Sequence, residues 1–546
     1  MKPIDSHPIL SCADAKTWEA GLLKDEVAEW EAMQRAGRAI ARAIEEDFLE
    51  IGGLPISARL LVLVGKGHNG GDALLAARSV VEKYPQAEVD VLLCFGESAL
   101  RPLARRSLDH LREISGHRAN VRSVSGLSAS ERVDLLGQGY DLCLDGIFGF
   151  RFRPPMDDST AEIIARVNTH PRIKFRAAVD LPSGMGDVSA ATVFRADFTY
   201  ATGIVKSPAV AEINAACIGR LRYLDLGFFA SARVVSKVPK QVLLPSVLTP
   251  LAELRPAQSD KRTYGHLCIV GGSHRYPGAV ILAVRAALRS GAGLVTAFVP
   301  EELAPHGATQ HPEVMWVGCP LTRAGGLGLT SLSLMREPLK RATALLIGPG
   351  LGADQETLEL VRQLVSEANV PVVLDADALR PEVISALQGK PFVCTPHAGE
   401  FKRIAGAHGI EEFCETSGAI VVLKGPLTRI VGRALRPTGS PDVGHKARPT
   451  SYYSPFGGPV LARGGSGDML AGLIGGLLAQ TPESPLLAAC RGVVWHGMAA
   501  DLLARTYGQV AVENSQLLEQ LGPALTLTHA RLIDRAAGVH GSERPA

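Results

Sequence analysis

Hydrophobic positions along the chain follow two rhythms. Residues 9–50 read as helical, with Trp18, Leu22, Val27, Trp30, Met33 and Ile40 supplying an apolar stripe at helical spacing. The rhythm then changes. Leu60-Leu61-Val62-Leu63-Val64 is a continuous apolar run ending in glycines, followed by a helical stretch over 72–84 and another strand-like run over 89–95. The alternation continues through runs that end at Asp145 and Asp180. Apolar strands joined by helices predict a parallel sheet covered on both faces. Between Phe228 and Pro256 the pattern breaks, with Pro239, Pro245, Pro250 and Pro256 and no amphipathic period, which predicts a linker. A second strand–helix series starts at His266-Leu267-Cys268-Ile269-Val270 and runs through 344–347, 370–374, 392–395 and 419–423 to a long helix opening near Gly467. No fixed-period repeat is present, and the stretch after Gly538 reads as a frayed end.

Length and composition agree with this two-part reading. A chain of 546 residues exceeds the size at which one core keeps growing, so two large domains are expected: 1–235, a linker at 236–255, and 256–546. A net charge of +2 gives no cause to expect a nucleic-acid or membrane partner, which leaves small-molecule chemistry. Nine scattered cysteines, an odd number without a Cys-x-x-Cys pair, fit neither a disulfide framework nor a zinc site and point to the cytoplasm. The longest apolar helix expected, 469–479, falls short of the roughly 20 residues that a membrane span needs.

Two constellations carry chemistry. In the first half, Gly65-Lys66-Gly67-His68-Asn69-Gly70-Gly71-Asp72 follows a strand and opens a helix, the setting in which backbone N–H groups meet a phosphate. Glu88 and Asp90 on the next strand are candidate ribose ligands. The same glycines also suit a plain tight turn, but Asn69 and Asp72 exceed what a turn needs. Asp145-Gly146-Ile147-Phe148-Gly149 and Asp180-Leu181-Pro182-Ser183-Gly184 end two more strands of this sheet, so the three loops should converge on one crevice. Oxygens of Asn69, Asp145 and Ser183 could hold a monovalent cation and Asp180 could move a proton, although each aspartate could instead be a helix cap.

In the second half, Ala462-Arg463-Gly464-Gly465-Ser466-Gly467-Asp468 places stacked glycines at a helix N-terminus, where N–H groups and the helix dipole stabilise a transferring phosphoryl group. Asp468 can take a proton from an attacking hydroxyl. The alternative is a glycine-rich helix contact, a use that Gly472, Gly475 and Gly476 suit better. There is no G-x-x-x-x-G-K-[ST] loop. His397, in Thr395-Pro396-His397-Ala398-Gly399-Glu400 after a strand, is a candidate for presentation at the sheet's carboxyl edge, whereas His306, His311 and His496 lack ligand spacing.

These motifs carry a resemblance. With Met33-Gln34-Arg35-Ala36-Gly37, the Asn-Gly-Gly-Asp loop, Asp145 and 179–184, residues 10–228 resemble the NAD(P)H-hydrate epimerase family. The resemblance implies a Rossmann-like doubly wound α/β domain, potassium on Asn69, Asp145 and Ser183, a catalytic Asp180, and substrate contacts from His68, Asn69, Gly70, Gly71, Asp72 and Gly149. The chain departs from that pattern at His68 and Ala73, and at Phe150-Arg151, where the family has a Gly-Thr-Gly phosphate loop; Arg151 could meet phosphate by charge instead.

Residues 260–510 resemble ADP-dependent NAD(P)H-hydrate dehydratases of ribokinase-like α/β fold, through 276–279, 289–295, 348–352, 375–379, 395–400, 422–425 and the Gly-Gly-x-Gly-Asp loop. That resemblance implies a hydrate site at Ala279, Gly350, His397 and Asp468. It implies a nucleotide site at Lys424, Gly425, Pro426, Leu427 and Thr428 with Gly464, Gly465, Ser466 and Gly467, and ADP or ATP with Mg²⁺ as co-substrate. Phe456-Gly457-Gly458-Pro459 stands where the family often has Asn-x-x-Gly-Asn-Pro. The expected whole is a cytoplasmic homo-oligomer that repairs the hydrates NADHX and NADPHX. The rival reading is a vitamin-precursor kinase with a non-catalytic N-terminal binding module.

Overall fold

The computed structural model describes residues 4–536 except 127, 129–130, 132–135, 138, 231–237, 388 and 434–447, with the side chains of 528–536 not described. The tail after Gly538 and part of the expected linker lie outside the described residues. The chain divides into two compact units, one comprising His7–Val238 with Ala504–Gln509, the other Met1–Ser6, Pro239–Leu503 and Val510–Ala546.

The N-terminal unit is a parallel sheet of β2 (Arg59–Val64), β3 (Glu88–Leu93), β4 (Ala119–Ser123), β5 (Tyr140–Gly146), β6 (Ile173–Val179), β7 (Phe198–Thr202) and β9 (Arg220–Leu224), in the order β4-β3-β2-β5-β6-β7-β9. The order reverses between β2 and β5, which opens a crevice at their carboxyl ends. Leu60, Val62 and Val64 of β2 join one apolar cluster and Leu61 and Leu63 another, so both faces of the strand are dry. The helical stretch 9–50 is divided: Ser6–Leu10 forms β1, which pairs with β8 (Val205–Lys206). Helices Cys12–Leu22 and Glu26–Phe48 follow, each started by a side-chain cap, Ser11 on Asp14 N–H and Asp25 on Ala28 N–H.

The second unit orders its strands β13-β12-β11-β14-β15-β16-β17-β18-β19-β10. These are β10 (Lys240–Leu243), β11 (His266–Val270), β12 (Leu294–Pro300), β13 (Met315–Cys319), β14 (Ala344–Ile347), β15 (Val372–Leu374), β16 (Phe392–Cys394), β17 (Ile420–Leu423), β18 (Arg429–Gly432) and β19 (Thr450–Tyr453). Pairing is parallel from β13 to β17, and β18 runs antiparallel to both its neighbours. The α/β class with parallel sheets therefore holds in both units.

The linker expected at 236–255 is ordered instead from Lys240 onward, with β10 pairing along β19 and Pro245–Leu251 forming a 3-10 turn in the second unit. A second expectation is also corrected, because helix Pro485–Tyr507 is long and apolar enough by length and composition to cross a bilayer. With 89% of its most apolar window buried, its apolar surface serves the protein interior. The nine cysteines are all free, and every one but Cys217 is buried.

Candidate functional sites

In the N-terminal unit the three loops meet as their strand order requires. Helix His68–Lys83 starts at Gly67, directly beyond β2. A Cβ on Gly149 would lie 3.0 Å from Asn69 Oδ1 and 3.3 Å from Asp180 Oδ2, so these groups converge on a backbone that only glycine leaves open. Asp145 and Ser183 are fully buried and bonded to each other, Ser183 donating from Oγ to Asp145 Oδ1 at 2.5 Å and from its N–H to Oδ2 at 2.7 Å. Burial pushes the Asp145 carboxyl up to about 6 against the pull of these hydrogen bonds. Asn69 Nδ2 and Asp72 Oδ1 are buried without a partner, as groups awaiting a ligand would be. Burial, then the charges of Asp180 and Glu19, push the Asp72 carboxyl well above its ordinary range.

Asp180 sits at φ +67°, a left-handed backbone that a non-glycine residue seldom adopts outside functional sites. Its Oδ1 accepts from the Lys206 ammonium, which is 1% exposed, and its Oδ2 accepts from Phe150 N–H at 3.3 Å. The ring of Phe150 lies 4.7 Å from the same ammonium. Phe150, which breaks the expected phosphate loop, thus covers the Asp180–Lys206 pair. Arg151 Nη2 stands 3.9 Å from Glu19 Oε2, and His68 Nε2 3.6 Å from Glu29 Oε2. Burial, the largest cause, holds the His68 imidazole below its ordinary value despite Glu29. A cavity of about 470 Å³ is lined by Asn69, Asp72, Gly149, Asp180, Lys206 and Glu19, among others.

Glu88 and Asp90 do not join this site. They lie in the first half of β3, and Asp90 is engaged by Arg59 at 3.3 Å, Tyr140 Oη at 2.8 Å and Asn120 at 3.0 Å. The crevice opens at the other end of the strand, beside Gly67.

In the second unit the strand order reverses between β11 and β14, and the loops after them touch. Gly350 has φ +69°, its carbonyl accepts from Ser273 Oγ at 2.7 Å, and an added Cβ would lie 3.0 Å from the Ala279 Cβ. Helix Ser466–Gln480 begins at Gly465, φ +95°, where a Cβ would come within 2.5 Å of Leu282 Cδ1. Ser466 turns its hydroxyl to Leu461 O at 2.7 Å, and the Gly464 carbonyl accepts from Asn514 at 2.5 Å. The Ser466 N–H donates back to Arg463 O at 3.4 Å, and Asp468 follows in the first turn of the helix. Burial, then the negative charge of Asp375, pushes the Asp468 carboxyl up to about 6, with Lys424 opposing.

Lys424 brings the other half of the site to this helix. Its Nζ is 3.1 Å from where a Gly467 Cβ would be, donates to Asp375 Oδ1 at 3.1 Å and lies 4.0 Å from Glu400 Oε2. Thr395 Oγ donates to the same Asp375 oxygen at 2.7 Å. Gly425, Pro426, Leu427 and Thr428 form the turn that joins β17 to β18. His397 sits beside Lys424 through an isolated parallel bridge. It is the N-cap of helix Ala398–Ala405: Nδ1 accepts from Gly399 N–H at 3.0 Å and Glu400 N–H at 3.3 Å, while Glu400 accepts from His397 N–H at 2.8 Å. The acceptor role of Nδ1 leaves any ring proton on Nε2, and the side chain is 61% exposed.

Sequence reasoning missed Glu19, Lys206 and Asp375 as participants. Asp375 stood inside a quoted motif and could have been found there. His496, set aside for want of ligand spacing, is buried near the Ser466 backbone with Nε2 unpartnered, and burial pushes it down to about 4.

Known proteins resemble separate stretches of this chain and nearly the whole of it. The profile of the family described as NAD(P)H-hydrate dehydratase matches residues 267–523, and that of the YjeF-related protein N-terminus matches residues 30–207. A bifunctional NAD(P)H-hydrate repair enzyme of Moorella thermoacetica is 34% identical, over 90% of this chain and 91% of that relative. One from Gloeobacter violaceus is also 34% identical, over 96% and 99%. A solved ADP/ATP-dependent NAD(P)H-hydrate dehydratase from Bacillus subtilis is 27% identical, with a TM-score of 0.40, covering 50% of this chain and 94% of that one. Similarity at this level along nearly the whole chain means that the protein belongs to the family of bifunctional NAD(P)H-hydrate repair enzymes.

Proposed function

We propose that the second unit dehydrates the S epimers of NADHX and NADPHX at the expense of ADP or ATP, and that the first interconverts the R and S epimers. The observation that carries the dehydratase reading is Asp468 in the first turn of a helix that opens on a glycine loop, with the Lys424 ammonium beside Gly467. Asp468 takes the proton of the hydrate's hydroxyl as that oxygen attacks the terminal phosphorus of the nucleotide. The N–H groups of Gly464, Gly465, Ser466 and Gly467 and the charge of Lys424 stabilise the phosphoryl oxygens in transit. Phosphate then departs with the C–O bond pair and a proton leaves the neighbouring carbon, restoring the double bond. Ala279, Gly350 and His397 line the place of the nicotinamide end, and 424–428 that of the adenine nucleotide.

Mg²⁺, when bound, would neutralise phosphate charge. Among the described residues no group of three His, Cys, Asp or Glu side chains stands ready for a metal, so we place it on the nucleotide rather than in a protein cage. In the first unit Asn69, Asp145 and Ser183 offer hard oxygen donors at buried loop ends, a set that fits potassium, which would supply a fixed positive charge beside the substrate. Asp180 moves the proton there, with His68, Gly70, Gly71, Asp72 and Gly149 around the substrate. Slight net charge and scattered free thiols support a cytoplasmic setting with small-molecule partners; self-association is part of the same proposal.

The test is to incubate the pure protein with both epimers of NADHX, with and without ADP or ATP, and follow recovery of reduced-nicotinamide absorbance. Nucleotide-dependent recovery is expected, with phosphate released. A stable phosphate ester as product would instead make the second unit a small-molecule kinase. In a parallel run the R epimer is given alone in potassium or sodium buffer. Conversion no faster than by Asp180→Asn in either buffer would make the first unit a binding module.

A further inference from the structure

The N-terminal cavity holds a charge arrangement that no sequence motif announces. Lys206 is 1% exposed, so its ammonium must be matched by protein charge. It is bonded to Asp180 Oδ1 and lies 4.0 Å from Glu19 Oε1. The other cation beside the pair is Arg151, 45% exposed and 3.9 Å from Glu19 Oε2, and the same cavity is also lined by Asp72. Asp180 holds the nearer place, and Phe150 N–H adds a hydrogen bond to its second oxygen. Glu19, on helix Cys12–Leu22, lines the same cavity.

We infer that Glu19 is a second catalytic carboxyl of the N-terminal site, acting as the acid to Asp180's base, with Lys206 as the positioning residue that holds the two carboxyls on either side of one ammonium. The inference rests on the epimerase reading above. The groups facing Glu19 are Lys206, Asp180, Arg151 and Glu29, and Asp72 lines the same cavity. Burial is the largest influence and pushes Glu19 up to about 7; Lys206 and then Arg151 pull it down, while Asp180 and Glu29 push it up. A carboxyl raised by burial, in one cavity with a second carboxyl, suits an acid–base pair.

The chemistry balances. The epimeric carbon C6 carries the hydroxyl and is bonded to ring N1. Asp180 takes the hydroxyl proton, the C6–O bond becomes a carbonyl, and the C6–N1 electron pair passes to N1, which takes the Glu19 proton. Rotation about C5–C6 presents the other carbonyl face. N1 adds back to C6, returning its proton to Glu19, and Asp180 returns its proton to oxygen. No oxidant, reductant or net proton is needed.

The experiment uses the full-length protein and the R epimer of NADHX without nucleotide, measuring R-to-S conversion from pH 5.5 to 8.5 by chromatography. Glu19 must carry a proton to act, so wild-type kcat should fall as pH rises through about 7. Glu19→Gln, an isosteric change, should lower kcat by about 10²- to 10⁴-fold with little change in KM and remove that descending limb. Glu19→Asp should recover part of the rate and restore the limb. Lys206→Met, which removes a charge that pulls Glu19 down, should move the limb to higher pH. Glu19→Gln with wild-type kcat and an unchanged limb would overturn the inference. So would a Glu19→Asp variant as inactive as Glu19→Gln, since that assigns the side chain to packing. A wild type no faster than spontaneous conversion would remove the epimerase reading and the inference together, an outcome visible before any variant is made.

Discussion

At the scale of single residues, each site turns on a carboxylate whose neighbours set its charge. As the proposed base Asp468 must be ionised, and burial pushes it up to about 6, so dehydration should fall off as pH drops through 6. Asp375 is the second cause of that elevation, so Asp375→Asn should move the acid limb of the kcat profile to lower pH, while freeing Lys424 should raise the KM for ADP. Asp468→Asn should lower kcat by about 10²- to 10⁴-fold at every pH and leave no such limb; turnover near wild type would remove Asp468 as the base. Gly149→Ala brings a methyl against Asn69 Oδ1 and Asp180 Oδ2 and should slow epimerisation while leaving dehydration and melting temperature nearly unchanged. The residues legible in the sequence were those whose loops advertise them through glycine or proline. Lys206 has Gly203 before it and Pro208 after it but no second polar residue of a recognisable motif, and its importance comes only from tertiary burial beside Asp180. Glu88 and Asp90 misled because a glycine loop of dinucleotide-binding form directs attention to acids on the next strand without showing which end of that strand meets the ligand.

At the scale of elements, helix Ser466–Gln480 shows how one stretch serves both packing and chemistry. Added Cβ atoms on Gly472 and Gly476 would come within 2.1 Å of Ala283 O and 2.0 Å of Ser290 Oγ, so these glycines fix the approach to helix Pro277–Arg289. Gly472→Ala should lower stability by about 1–3 kcal/mol, read by thermal unfolding, because the obstruction is backbone and cannot turn aside. Gly465→Ala places a β-carbon on a left-handed residue and should weaken ADP binding by calorimetry, with stability falling by about 1–2 kcal/mol. Strands such as Leu60–Val64 could be read because apolar residues on both faces admit no other placement in a covered sheet. Lys240-Gln241-Val242-Leu243 could not, since four residues between prolines show little pattern and their partner β19 lies some 200 residues farther along. The division of the opening helix was likewise hidden, although Ser11 and Asp25 are the capping residues that mark it.

At the scale of the whole molecule, the placement of β10 moves the start of the second unit. We expect a fragment beginning at Pro239 to be soluble and to keep nucleotide-dependent dehydration. One beginning at 256 uncovers the edge of β19 and should aggregate or melt several degrees lower, as light scattering and calorimetry would report. Equal behaviour of the two would show β10 to be dispensable. The buried thiols bear on durability. Burial, assisted by Asp187, pushes Cys12 up to about 12; it raises Cys268 and Cys414 to about 12 and Cys319 to about 11, and it also raises Cys94, Cys143, Cys394 and Cys490. Almost no thiolate is then available to peroxide or to an alkylating agent at neutral pH. Iodoacetamide should add at most one group to the native protein, at Cys217, as intact mass would show. A chain so protected should keep its activity through oxidising conditions, and should store at the bench without a reductant.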